Sequence, residues 1–226
     1  MSRDICRKTI LKTASISIFA VLFYTVCDDN GVKVVTPEVT TFVDYRDNKT
    51  YKKVQIGEQI WMAENLKYEA GGSKCYDGAG WGLTPARTCE VYGRLYDWNT
   101  TMDGEHSSHA NPSGIEGVCP VGWHIPSDAE WTELIDYVGV NAGTKLKSRE
   151  FIDRIIPGSR PAPNGTDKYR FSALDGPMAS IWWSSTEMDS DEERAGSWSV
   201  NGQTVGVWHL YADKHASFLS VRCVHD

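Results

Sequence analysis

CPVGWHIPSDAEW, Cys119–Trp131, is the stretch on which the reading of this chain turns. Ser127 stands three residues before Glu130, the spacing of a capping box, in which each side chain satisfies a free backbone N–H of the helix start. Trp131, Leu134, Ile135 and Val138 then recur on one helical face, and Gly139 supplies the stop. Beyond Lys147 the period changes from helix to strand. Phe171–Leu174, Ile181–Thr186, Trp198–Val200, Thr204–Tyr211 and Phe218–Val224 are short runs separated by Gly, Asn or Asp turns. Val200-Asn201-Gly202-Gln203 carries the Asn-Gly pair of a tight hairpin.

Upstream, Phe42–Tyr45 and Thr50–Ile56 alternate around Asp47-Asn48, another hairpin signal, and Ile60–Met62 returns as a third strand after Gly57. Lys67–Arg87 and Thr101–Val118 read as loops. Between them Tyr92, Leu95 and Trp98 recur every third residue, which predicts a short helix over Tyr92–Trp98. A hairpin, one or two helices and a closing antiparallel meander make an α+β domain, expected at Thr41–Asp226.

The first residues read as a leader. Arg3, Arg7, Lys8 and Lys12 precede a thirteen-residue apolar run, Ala14–Val26, shorter than the roughly 20 residues of a bilayer span. That is the pattern of a secretory signal over residues 1–26. Cys27 stands where a lipoprotein signal would be cut, although Tyr24 and Val26 are imperfect lipobox residues. Lipidation of Cys27 is the favoured expectation, and ordinary cleavage or an uncleaved anchor are the alternatives. Residues 27–40 are expected to be a tether.

Without residues 1–26 the chain keeps 19 Lys+Arg against 29 Asp+Glu. So acidic an exterior disfavours nucleic acid and a polybasic grip on anionic lipid, leaving a lipid anchor as the expected route to a membrane. Four cysteines remain in the domain, Cys75, Cys89, Cys119 and Cys223. An even count in an exported chain implies two disulfides, with three pairings open. Cys75–Cys89 and Cys119–Cys223 are favoured, and no C-x2-C spacing supports zinc.

Several of these motifs, in this order, carry a resemblance: Gln59–Leu66, Cys75 to Cys89, Tyr92–Trp98, Cys119–Ser127, Trp182–Glu187 and Ser220–Val224. The chain resembles the Fibrobacter succinogenes major paralogous domain family over nearly all of Thr41–Asp226. The resemblance implies an exported bacterial protein, often a lipoprotein of the outer membrane or cell surface. It also implies a disulfide-stapled fold similar to C-type-lectin-like and sulfatase-modifying-factor domains.

The residues needed for the chemistry of those fold relatives are missing. Sulfatase-modifying oxidases resemble copper enzymes with two closely spaced C-terminal cysteines, whereas only Cys223 lies in that region. No histidine triad of the related iron enzymes occurs. The calcium-sugar triplets of C-type lectins are also missing, since Pro163-Asn164 lacks the acidic or amide residue before proline. An enzyme of the sulfatase-modifying type is therefore the least favoured reading, and no cofactor is expected. Glu187, Asp189 and Asp191, with Glu192 and Glu193, are weak candidates for calcium and otherwise a solvated turn.

His106 and His109 read as surface residues, and His124 as a packed one. Of the nine tryptophans, Trp61, Trp123, Trp131 and at least one of Trp182 and Trp183 read as core. Trp198, Trp208, His209, Tyr211 and His215 flank the closing meander and are the ligand-binding candidates. The expectation is a non-catalytic module that binds an extracellular glycan or protein. A structural envelope or matrix component is the alternative.

Overall fold

The computed structural model describes residues 24–27, 33–77, 83–149, 165–174, 180–200 and 204–226. The elements in chain order are β1 Tyr24–Cys27, β2 Lys33–Thr36, β3 Val39–Asp44, β4 Lys49–Ile56, β5 Gln59–Met62, α1 Pro85–Tyr92 and α2 Trp98–Met102. There follow β6 Trp123–His124, α3 Asp128–Val138, α4 Ala142–Leu146, β7 Ile181–Met188, β8 Asp191–Ser199, β9 Trp208–Asp213 and β10 Val224–His225. β1 and β2 form a small hairpin. A five-stranded sheet runs β3-β4-β5-β10-β6, a three-stranded one runs β7-β8-β9, and all their pairs are antiparallel. The protein is α+β.

Alternation along β7 explains why two cores form. Successive side chains of a strand point to opposite faces. Trp182 accordingly joins Trp61, Trp131, Phe171 and Trp198, while its neighbour Trp183 joins Tyr96, Trp98, Trp123 and the Cys119–Cys223 pair. The three-stranded sheet is thus buried on both faces along most of β7, and it is exposed at β9 and at the Asp191–Arg194 start of β8.

The capping box is formed: Ser127 Oγ accepts from Glu130 N, Glu130 Oε2 accepts from Ser127 N, and Gly139 ends α3. Both disulfides form as expected, Cys75–Cys89 and Cys119–Cys223. The hairpin across Asp47-Asn48 is β3–β4, with Asn48 at φ 60°.

Several local expectations are corrected. No helix covers Tyr92–Trp98. α1 begins earlier, because Thr84 caps it and Pro85 opens it. It stops at Gly93, whose φ of 84° lets the backbone pass where a Cβ would lie 2.7 Å from Asn65. Leu95 and Tyr96 then bridge to Lys74 and Leu219 as extended chain, and α2 starts only at Trp98. The predicted strand at Phe171–Leu174 is a single parallel bridge, Lys147–Ala173, and Phe218–Val224 is mostly irregular. Ser199 pairs with Trp208, so the connection from β8 to β9 is longer than a two-residue turn. β2 and the start of β3 fall inside the expected tether. Residues 1–23, Pro163-Asn164 and Asn201-Gly202 lie outside the described residues.

Candidate functional site

Several polar residues of the sequence motifs are consumed by the core. Arg222, from the closing motif, is fully buried. Its Nε and Nη2 donate to Asn65 Oδ1 at 3.1 and 2.7 Å, and Nη1 donates to the Phe171 carbonyl. The guanidinium lies 4.2 Å from the centre of the Phe171 ring and 5.1 Å from that of Trp182. Trp182 Nε1 donates to the same Asn65 oxygen at 2.8 Å, while Asn65 Nδ2 donates to the Tyr92 carbonyl and Ser220 Oγ. Burial pushes the Arg222 pKa down to about 9, which still leaves the group charged at neutral pH. One asparagine therefore ties together the Gln59–Leu66, Trp182–Glu187 and Ser220–Val224 motifs.

His124 plays a similar part for the Cys119–Ser127 motif. It is 2% exposed and lies between Glu130 Oε1 at 2.6 Å and Asp226 Oδ1 at 2.7 Å. Burial opposes its charge, but the hydrogen bonds and fields of Glu130 and then Asp226 outweigh that and raise its pKa above the ordinary 6.5. The clasp joins β6 to the start of α3, and Glu130 also accepts from Ser113 N. A raised pKa in the folded state gives stability that is complete below the unfolded value and is lost as the pH climbs through the folded one. Denaturant midpoints measured from about pH 6 to about pH 9 should fall on the alkaline side, and His124→Gln should flatten that slope.

The ligand-binding candidates divide. Trp198 is 8% exposed and stacks on Trp131 and His209, so it is core rather than contact surface. Its Nε1 donates to Asp128 Oδ1 at 2.7 Å, and Asp128 Oδ2 pairs with His209 Nε2 at 2.9 Å. Burial raises the Asp128 pKa, but hydrogen bonds from His209, Trp198 and Ser184 outweigh it and lower the value. Asp128 thus locks the start of α3 to β8 and β9. Gly196, paired with Tyr211, leaves room for it, since a Cβ there would lie 2.6 Å from Asp128 Oδ1. His215 sits apart, 3.3 Å from Glu193 and from Asn99.

Trp208 and Tyr211 do reach the surface, together with Leu210, which the sequence reading passed over. Trp208 and Leu210 share one face of β9, and His209 and Tyr211 the other. Exposures of 50% for Trp208, 51% for Leu210 and 39% for Tyr211 set β9 apart from the buried strands around it. The signal was present in Trp-His-Leu-Tyr, a run bulky at every position, but only burial tells such an edge from a core strand. Asp128 left no comparable signal, because its partners come from β8 and β9.

Glu187, Asp189 and Asp191 end up at the β7–β8 turn and face separate partners. Glu187 pairs with Lys214 at 2.6 Å, Asp189 lies 3.6 Å from His109, and Asp191 is 4.0 Å from Arg194. Among the described residues no three His, Cys, Asp or Glu side chains are grouped to hold a metal ion. A separate groove of about 300 Å³ lies between β3 and Pro120-Val121, lined by Phe42, Val43, Tyr45 and Trp123. Its charged residues are occupied, since Arg46 binds Asp44 and the carbonyls of Val118 and Cys119.

A family model for the Fibrobacter succinogenes major domain matches residues 54–225. No curated protein and no solved structure matches the chain. The match spans the motifs that meet at Asn65 and Arg222, the His124–Glu130 pair, both disulfides and the β9 surface. The chain belongs to the Fibrobacter succinogenes major domain family.

Proposed function

We propose that this protein is a non-catalytic binding module of the cell envelope or surface, C-type-lectin-like in fold and lipid-anchored through Cys27. Its β9 surface recognises an extracellular glycan or protein. One observation carries this reading. Of the eight tryptophans whose surroundings are described, seven are at most 8% exposed, whereas Trp208 is half exposed beside Leu210 and Tyr211. Large aromatic side chains held at a surface by a rigid sheet are the usual energetic centre of a binding face. The fate of the motif residues supports the same reading. Asn65, Arg222, His124 and Glu130 all hold the core together, and the four domain cysteines are bridged.

The test uses the chain purified from its native membrane. Intact mass should show an acylated Cys27 as the first residue. Glycan arrays and binding assays with extracellular protein should show a signal that Trp208→Ala with Tyr211→Ala removes. The double variant should lose no more than about 1 kcal/mol of stability, because both side chains are surface groups. A signal unchanged in a folded double variant would overturn the reading.

A further inference from the structure

We propose that β9 is an acceptor edge for an extended segment of another protein, apolar at alternate positions and carrying Lys or Arg at the end that meets Asp213. The inference rests on the reading of β9 as the binding surface and names the kind of partner it takes.

The hydrogen-bond pattern of the sheet decides which groups are available. Lys214 N donates to Glu193 O, and on the other side of β8 Val200 N donates to Ser180 O. In an antiparallel ladder, bonded and non-bonded pairs alternate. With Trp198 opposite His209 and Gly196 opposite Tyr211, the bonded pairs to β8 are those of Trp208, Leu210 and Ala212. The N–H and C=O groups of His209 and Tyr211 therefore point away from the sheet. Among the described residues none bonds to them, and the edge is first covered where Ser217 N donates to Asp213 O.

Edges of this kind are normally blunted by Pro, Lys, a bulge or very short length. β9 has none of these from Trp208 to Ala212: its register with β8 runs without a shift, whereas β7–β8 is bulged. Apolar and aromatic side chains stand on both of its faces, Trp208 and Leu210 on one and Tyr211 on the other. An added strand would lay alternate side chains beside each set, and its backbone would meet the two residues with free groups. This is recognition by strand addition, in which the main chain supplies affinity and alternate side chains supply selectivity.

Charge selects among occupants. Asp191, Glu192, Glu193 and Asp213 crowd the end of the sheet where β9 finishes, against Arg194, while Lys214 is already paired with Glu187. A basic residue at that end of the incoming segment would be drawn in. A second copy of this chain has no Lys or Arg in its own β9, Trp208–Asp213, to meet that acidic end, which disfavours self-pairing.

The experiment pans a display library of random twelve-residue peptides on the folded full-length chain, with the Trp208→Ala/Tyr211→Ala variant as counter-selection. Enriched peptides should alternate apolar residues and carry Lys or Arg at one end. Backbone N-methylation at alternate residues, which keeps every side chain, should weaken them roughly tenfold or more. Amide exchange at His209 and Tyr211 should slow on binding. Enriched peptides that keep their affinity when N-methylated would overturn strand addition and leave a face that binds through side chains. No enrichment, with a glycan signal lost in the double variant, would also overturn it while the binding reading stands. No signal of either kind removes both. Slow exchange at these amides in a self-associated chain without peptide would replace the partner with a second copy.

Discussion

Asn65→Leu is expected to cost about 3–5 kcal/mol, a large share of the stability of a domain this size, because it leaves a buried guanidinium without its principal acceptor. Asn65 Oδ1 takes three donated hydrogen bonds, two from Arg222 and one from Trp182. Arg222 is fully buried, so water cannot replace them without opening the core. Arg222→Met should cost far less, about 0–2 kcal/mol. It removes the charge along with its need for a partner, fills similar volume and leaves Asn65 bonded to Trp182. The combination Asn65→Leu with Arg222→Met should recover part of the loss, giving a coupling of about 1–3 kcal/mol in a double-mutant cycle. Urea titrations of the four proteins measure it. Equal single losses with no coupling would mean that Asn65 and Arg222 act separately, as ordinary packing.

Replacing both Cys119 and Cys223 by Ser is expected to remove about 4–5 kcal/mol on the loop-entropy account, since the bridge joins residues 104 apart. The same change at Cys75 and Cys89, 14 apart, should remove about 3 kcal/mol. The two bridges also differ in access. Cys119 and Cys223 are 1% and 0% exposed within the core around Trp183, while Cys75 and Cys89 are only partly buried. Mild reductant under native conditions should therefore open Cys75–Cys89 first and reach Cys119–Cys223 only on unfolding. Timed thiol labelling with mass spectrometry reads the order. Simultaneous loss of both would mean that the second bridge is not protected by the core.

These two effects explain why the family motifs lie far apart in the chain yet act together. Gln59–Leu66 provides Asn65, Ser220–Val224 provides Arg222 and Cys223, and Cys119–Ser127 provides Cys119 and His124. β10 brings them together by sitting between β5 and β6. The motifs describe a scaffold. The surface that the scaffold presents, β9, lies within the family match but outside its most recognisable residues.

Local physics was legible in the sequence wherever a segment satisfied its own backbone. The capping box at Ser127 and Glu130 and the Asp47-Asn48 hairpin were of this kind, since their bonds close within a few residues. Cysteine number and spacing also sufficed to expect the two bridges. The stretch Tyr92–Trp98 was not legible, because Gly93, Leu95 and Tyr96 take their conformation from Asn65, Lys74 and Leu219, all distant in sequence. Trp198 and Trp208 show the same limit. Both are tryptophans of the closing meander, and only the position of α3 against β8 makes one core and the other surface. By itself the sequence determined the class of the fold, its staples and its best helix, through short-range hydrogen bonds and covalent pairing. The tertiary structure alone decided which polar residues are buried as ties and which strand edge is left open among the described residues, because both depend on contacts that no local pattern encodes.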